Sequence, residues 1–71
     1  MVNANAIRGK MAEKRLTQED VCKFLKMTPK TFRRKLSNGI FDSNEIVILT
    51  RLLGITEDEF MPIFFTDDVT W

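Results

Sequence analysis

Between Leu25 and Thr28 the chain has only two residues, Lys26 and Met27, in which to end one short helix and start the next. On the near side, Thr17 is a favourable N-cap and Asp20, three residues on, can answer it. Gln18 to Leu25 therefore reads as a helix of about two turns, with Val21, Phe24 and Leu25 facing inward. On the far side, Thr28-Pro29 is a strong helix start: the hydroxyl caps, and proline in the first helical position loses no donor that the helix needs. This helix runs from Pro29 to about Ser37, and Asn38-Gly39 permits the left-handed backbone that closes a helix. Two helices this short, joined this tightly, must cross steeply, which is a helix-turn-helix arrangement.

The remaining elements are short helices too. Ile7 and Met11, four apart, share a face of a first helix running roughly from Asn3 to Lys14. Gly9 in its interior costs about 1 kcal/mol relative to alanine. Leu16 enters the core from the following turn. Asp42 or Ser43 caps a fourth helix, with Glu45 placed to complete a capping box on Asp42. It runs to Leu53 and stops at Gly54. Thr56-Glu57-Asp58-Glu59 is a capping box opening a short fifth helix, which Pro62 is expected to end. Ile63, Phe64 and Phe65 follow, then an acidic tail with Val69 and Trp71. The expectation is an all-α, compact five-helix bundle. It forms one domain over residues 1–71, with a core of about 3–61 and a short tail over 62–71.

A chain of 71 residues has a small core, and this one carries no staple. Its single cysteine, Cys22, cannot form an internal disulfide, and with no histidine it cannot build a His/Cys zinc cluster. Cys22 reads as a small, partly buried residue, and Met11, Met27 and Met61 read as core fillers. The absence of a disulfide framework fits a reducing, intracellular setting. No run of about 18 apolar residues or leader-like segment is read, so neither a membrane span nor a secretory signal is expected. Without histidine or tyrosine, and without a nucleophile-elbow, Walker or dinucleotide-loop motif, no enzymatic activity, metal or cofactor is expected.

The net charge of +1 conceals a split. Residues 1–35 carry ten basic side chains against three acidic ones, and residues 36–71 carry one basic residue, Arg51, against seven acidic ones. Such asymmetry points to nucleic-acid contact on the basic side. The third helix sharpens this. At about 100° per residue, Phe32 and Leu36 point to the core while Lys30 and Arg34 point away. Thr31 and Ser37 lie on the shoulders of that outer face and Arg33 at its edge. No acidic residue occurs from Pro29 through Ser37. Arg and Lys can donate to guanine O6 and N7, and Thr31 can meet a thymine methyl or a base-edge acceptor. Thr17, Gln18 and Thr28, at the starts of the second and third helices, can supply donors to phosphates, with Lys35 and Asn38 as further backbone clamps. A solubilising charged helix would account for the basic density alone.

The stretch Ile7-Arg8-Gly9-Lys10-Met11-Ala12-Glu13-Lys14-Arg15-Leu16-Thr17-Gln18-Glu19-Asp20-Val21 resembles the opening of the phage Cro/repressor-like helix-turn-helix family, also called the XRE family. Ser37-Asn38-Gly39 resembles its usual stop after the recognition helix, and Leu52 through Phe60 resembles its fourth-to-fifth helix junction. The resemblance covers roughly residues 3 to 61. It implies a lambda-repressor-like DNA-binding domain that binds a double-stranded operator, usually as a dimer. It also implies that Gln18 contacts phosphate and supports the recognition helix. Pro29, Lys30, Thr31, Arg33 and Arg34 then occupy the positions that approach bases. Two departures stand out. Pro29 replaces a residue that is often polar, and the third helix is about one residue longer than usual. The family's carboxyl-terminal dimerisation and cleavage domain is not found in the 71 residues, which favours a Cro-like or accessory phage regulator in the cytoplasm of a host bacterial cell.

The second half raises the question of a protein interface. Ile46, Leu49 and Leu53 form one inward stripe of the fourth helix, and Ile48 and Leu52 form a second that a small core need not bury. Phe41, Ile63, Phe64, Phe65 and Trp71 add apolar area, and a contiguous exposed patch of this kind marks an interface. A fully buried central helix is the plain alternative. An interface could make a homodimer, or it could hold a phage repressor protein, with the acidic half attracting a basic partner. The expected function is a sequence-specific DNA-binding transcriptional regulator, a Cro-like repressor in a genetic switch. The alternative is a modulator or antirepressor that binds a repressor through the apolar and acidic carboxyl-terminal half.

Overall fold

The structure is a computed structural model and describes residues 1–65. Five helices follow one another: α1 (Ala4–Glu13), α2 (Gln18–Leu25), α3 (Pro29–Asn38), α4 (Ser43–Leu52) and α5 (Glu57–Phe64). No strand occurs among the described residues. The all-α, five-helix architecture expected from the sequence is present. The tail positions Val69 and Trp71 lie outside the described residues.

The first four helices start where a short polar side chain takes a free N–H group, and α5 starts where Glu59 reaches back to Thr56. Asn3 accepts from the Ala6 N–H at 3.1 Å. Thr17 accepts from the Asp20 N–H at 3.2 Å while Asp20 accepts from the Thr17 N–H at 3.0 Å. Thr28 accepts from the Thr31 N–H at 3.2 Å. Asp42 and Glu45 form a reciprocal box at 2.8 and 3.0 Å. Glu59 accepts from both the N–H and the hydroxyl of Thr56, at 3.0 and 3.1 Å.

The first four helices end alike. Arg15, Lys26, Gly39 and Gly54 all adopt left-handed backbone. The N–H of the residue after each one donates back five residues: Leu16 to Met11, Met27 to Cys22, Ile40 to Lys35 and Ile55 to Thr50. This closure satisfies terminal carbonyls and turns the chain sharply. Gly39 and Gly54 are legible as stops in the sequence, but Arg15 and Lys26 are not. A side chain in this conformation costs roughly 1–2 kcal/mol, so tight connections are imposed at these two sites against local preference.

One core unites the helices. Ile7 and Met11 of α1, Val21, Cys22 and Leu25 of α2, and Phe32 and Leu36 of α3 are buried together with Leu49, Leu53 and Ile55. Fully buried Phe32 lies 6.0 Å from the tilted ring of Phe41. α2 packs on both α3 and α4, and α1 on α5. The core also takes in Val2, Ile63 and Phe64, so it reaches beyond the 3–61 span expected.

Several expectations are corrected here. Pro62 does not end α5, which continues to Phe64. The ring removes a bond to the carbonyl of Asp58, but Asp58 lies in the exposed first turn, where solvent can replace the lost donor. The extra residues place Ile63 and Phe64 in the core, and the Ile63 carbonyl accepts from the Asn3 N–H at 2.7 Å. Phe41, at 7% exposure, and Phe64, at 2%, are thus core residues, as is Ile63; none of the three forms an exposed interface. Phe24 does not face inward and is 57% exposed, because Cys22 takes the third inward position of α2. Met61 is exposed and is no core filler.

Candidate nucleic-acid interface

Helix α3 is held on two sides. Phe32 and Leu36 anchor it in the core, and Thr28 fixes its start: its hydroxyl accepts from the Thr31 N–H and donates to the Thr31 hydroxyl oxygen at 3.0 Å. Thr31 is half-buried, leaving its methyl and its own hydroxyl proton for an outside partner. Pro29 is half-buried in the first turn, while Lys30, Arg33, Arg34, Ser37 and Asn38 are exposed. No carboxylate of the described residues pairs with Lys30, Arg33 or Arg34. The outer face is therefore positive, and no described carboxylate neutralises it.

The flanks differ from one another. On one, the Arg33 guanidinium donates to the side-chain oxygen of Gln18 at 3.2 Å, tying α3 to the first residue of α2. Gln18 and Arg33 thus form one unit at the edge of the face. On the other, Lys35 turns towards α4 and its ammonium lies 2.6 Å from Glu45 Oε2, with the side chains 27% and 11% exposed. Lys35, expected as a phosphate clamp, is engaged by Glu45 and does not stand unpaired on the outer face. Nothing in the local sequence of α3 reveals this, because Glu45 is ten residues away and already legible as a capping residue.

Thr17 is exposed, but its N–H is occupied by the Asp20 carboxylate. That bond lowers the Asp20 pKa, so a negative charge sits in the first turn of α2 beside Glu19. The start of α2 offers an approaching phosphate the Gln18 amide and the Thr17 hydroxyl, with the Asp20 carboxylate beside them. Cys22 is buried, and burial pushes its thiol pKa up, consistent with an unreactive packing role.

The sequence reasoning missed Arg8. It is exposed on α1 and lines, with Asn5 and Ser37, a cleft of about 400 Å³ beside the last turn of α3. The available signal was its position one residue after the inward Ile7, which puts it on a flank of α1. Of the expected protein-interface residues, Ile48 and Leu52 are half-buried and line a shallow groove with Phe24 and Arg51. Phe65 is 51% exposed and packs its ring 5.8 Å from Phe60, and Trp71 lies outside the described residues. The exposed Val47 and Ile40 were not singled out by their pattern.

Among the described residues no group of three or more His, Cys, Asp or Glu side chains could hold a metal ion. No described helix is long and apolar enough to cross a membrane. No family model, no curated protein and no solved structure matches the chain.

Proposed function

We propose that the protein is a sequence-specific DNA-binding transcriptional regulator of the Cro/repressor-like kind, acting in the bacterial cytoplasm. Its α3 enters the major groove of an operator. The observation that carries this reading is the outer face of α3, where Lys30 and Arg34 are exposed and unpaired by any described carboxylate. A ten-residue helix is about 15 Å long and about 10–12 Å wide with its side chains, which suits a groove about 12 Å wide. Lys30, Arg34 and Thr31 read base edges, while Gln18 with Arg33 holds a flanking phosphate.

The test is selection of duplexes from a random-sequence pool by the purified protein, followed by retention of the selected duplex against a scrambled one. Lys30→Ala and Arg34→Ala should each weaken the selected duplex and shrink its advantage over the scrambled one. A well-made contact to a base is worth about 1–3 kcal/mol of discrimination. Failure to enrich any sequence, or indifference to both substitutions, would refute the reading.

A second reading, a modulator that binds a phage repressor protein, is supported by exposed Phe24, which lines a shallow groove with Ile48 and Leu52. It loses support from the burial of Phe41, Ile63 and Phe64. Charged substitutions at Ile48, Leu52 or Phe65 separate the two, since they would break a protein complex while leaving duplex retention by α3 intact.

A further inference from the structure

The two long edges of α3 are electrostatically unlike. Along one edge, Arg33 is bonded to Gln18, and Ser37 follows four residues later on the same side of the helix. Beyond Ser37 the edge continues onto α1, where Arg8 and Asn5 line the cleft that Ser37 also lines. No acidic side chain lines that cleft, and no described carboxylate pairs with Arg8. Along the other edge, the one cation, Lys35, is held by Glu45, and Asp42 caps α4 beside it.

A helix lying in a major groove has a phosphate strand on each side. The acid-neutralised edge offers its strand little, whereas the Gln18–Arg33–Ser37–Arg8 edge offers a row of donors. Arg33 and Ser37 are separated by about 6 Å of helix rise, comparable with two base-pair steps along the DNA axis at about 3.4 Å each. Long arginine side chains at both ends widen that reach.

Resting on the reading that α3 binds duplex DNA, we propose that Arg8, with Asn5 and Ser37, binds a backbone phosphate of the strand flanking the Gln18–Arg33 edge. Lys35, on the opposite edge, contacts none. Arg8 is then an affinity-setting and not a sequence-reading residue, and the protein grips the two strands of its site unequally.

The experiment is the salt dependence of binding to the selected duplex and to a scrambled one, for the wild-type protein, Arg8→Gln, Arg8→Lys and Lys35→Met. Each phosphate contact contributes about 0.9 to the slope of log affinity against log salt. Arg8→Gln should lower the slope by about one and weaken both duplexes by the same factor, leaving their ratio unchanged. Arg8→Lys should keep the slope, and Lys35→Met should leave slope and ratio as in the wild type. An unchanged slope in Arg8→Gln, with Lys30→Ala still impaired, overturns the Arg8 site alone. A loss in Lys35→Met equal to that in Arg8→Gln overturns the unequal grip. Absence of duplex binding by the wild type overturns this inference together with the reading beneath it.

Discussion

The Lys35–Glu45 pair joins the last turn of α3 to the first turn of α4, and a double-mutant cycle can measure what it contributes. Glu45 Oε2 takes the Lys35 ammonium at 2.6 Å while Oε1 takes the Asp42 N–H at 3.0 Å. Glu45→Gln keeps an acceptor for the Asp42 N–H, since glutamine also serves in capping boxes, and so removes mainly the charge. Lys35→Met removes the ammonium and keeps the apolar stem. A fully exposed ion pair is worth about 0.2–1 kcal/mol, and a hydrogen bond to a charged group about 1.5–3 kcal/mol. With the side chains 27% and 11% exposed, the pair falls between these cases, and a coupling of about 1–2 kcal/mol is expected. A 71-residue domain has roughly 4–11 kcal/mol of total stability, so the loss is easily resolved. Urea unfolding of the four proteins at pH 7, followed by helical circular dichroism, gives the coupling energy. Most of it should survive 1 M salt, because partly buried pairs are screened less than exposed ones. A coupling below about 0.3 kcal/mol, the usual error of additivity, would show that the contact contributes nothing and that α3 is held by its apolar face alone.

Four further outcomes follow from the packing and from one surface ion pair. Gly9 lies inside α1 with open space where a Cβ would stand, so Gly9→Ala should raise stability by about 1 kcal/mol. Gly39→Ala should lower it by roughly 1–2 kcal/mol, because the backbone there has φ +73° and the added carbon would stand 2.6 Å from the Met1 side chain; thermal melts read both. Phe32→Ala should cost about 3–5 kcal/mol, a large share of the stability of a domain this small, and lower the melting temperature more than Gly39→Ala does. The Lys10 ammonium beside Glu59, with the Thr56 N–H, holds the Glu59 carboxyl at about 2, below its ordinary 4.5. The stability this brings is present above pH 4.5 and is lost as pH falls towards 2. Lys10→Met should therefore flatten the acid limb of the stability profile measured by urea unfolding between pH 5 and pH 2; an unchanged limb would exclude the pair as its source.

The starts of α2 to α5 were legible in the sequence because an N-cap is a local device, and the start of α1, read only from the spacing of Ile7 and Met11, obeys the same rule. Asn3, Thr17, Thr28, Asp42 and Thr56 each meet a partner three residues away, whatever the rest of the chain does. The outward face of α3 was legible for a similar reason: the two apolar residues that fix its orientation, Phe32 and Leu36, lie within the same ten residues as Lys30 and Arg34. What only the tertiary structure decided depends on elements meeting across the chain. Contact with Glu45 withdraws Lys35 from the outer surface, and the approach of α1 to the end of α3 sets Arg8 beside Ser37. The Asn3 N–H meets the end of an α5 that runs past Pro62, so Ile63 and Phe64 become core. Phe24, read as inward by periodicity alone, stays at the surface because α2 packs its Val21, Cys22 and Leu25 side against α3 and α4. Local hydrogen bonds act over three or four residues and can be read from spacing, whereas burial and charge pairing depend on which distant faces the core brings together.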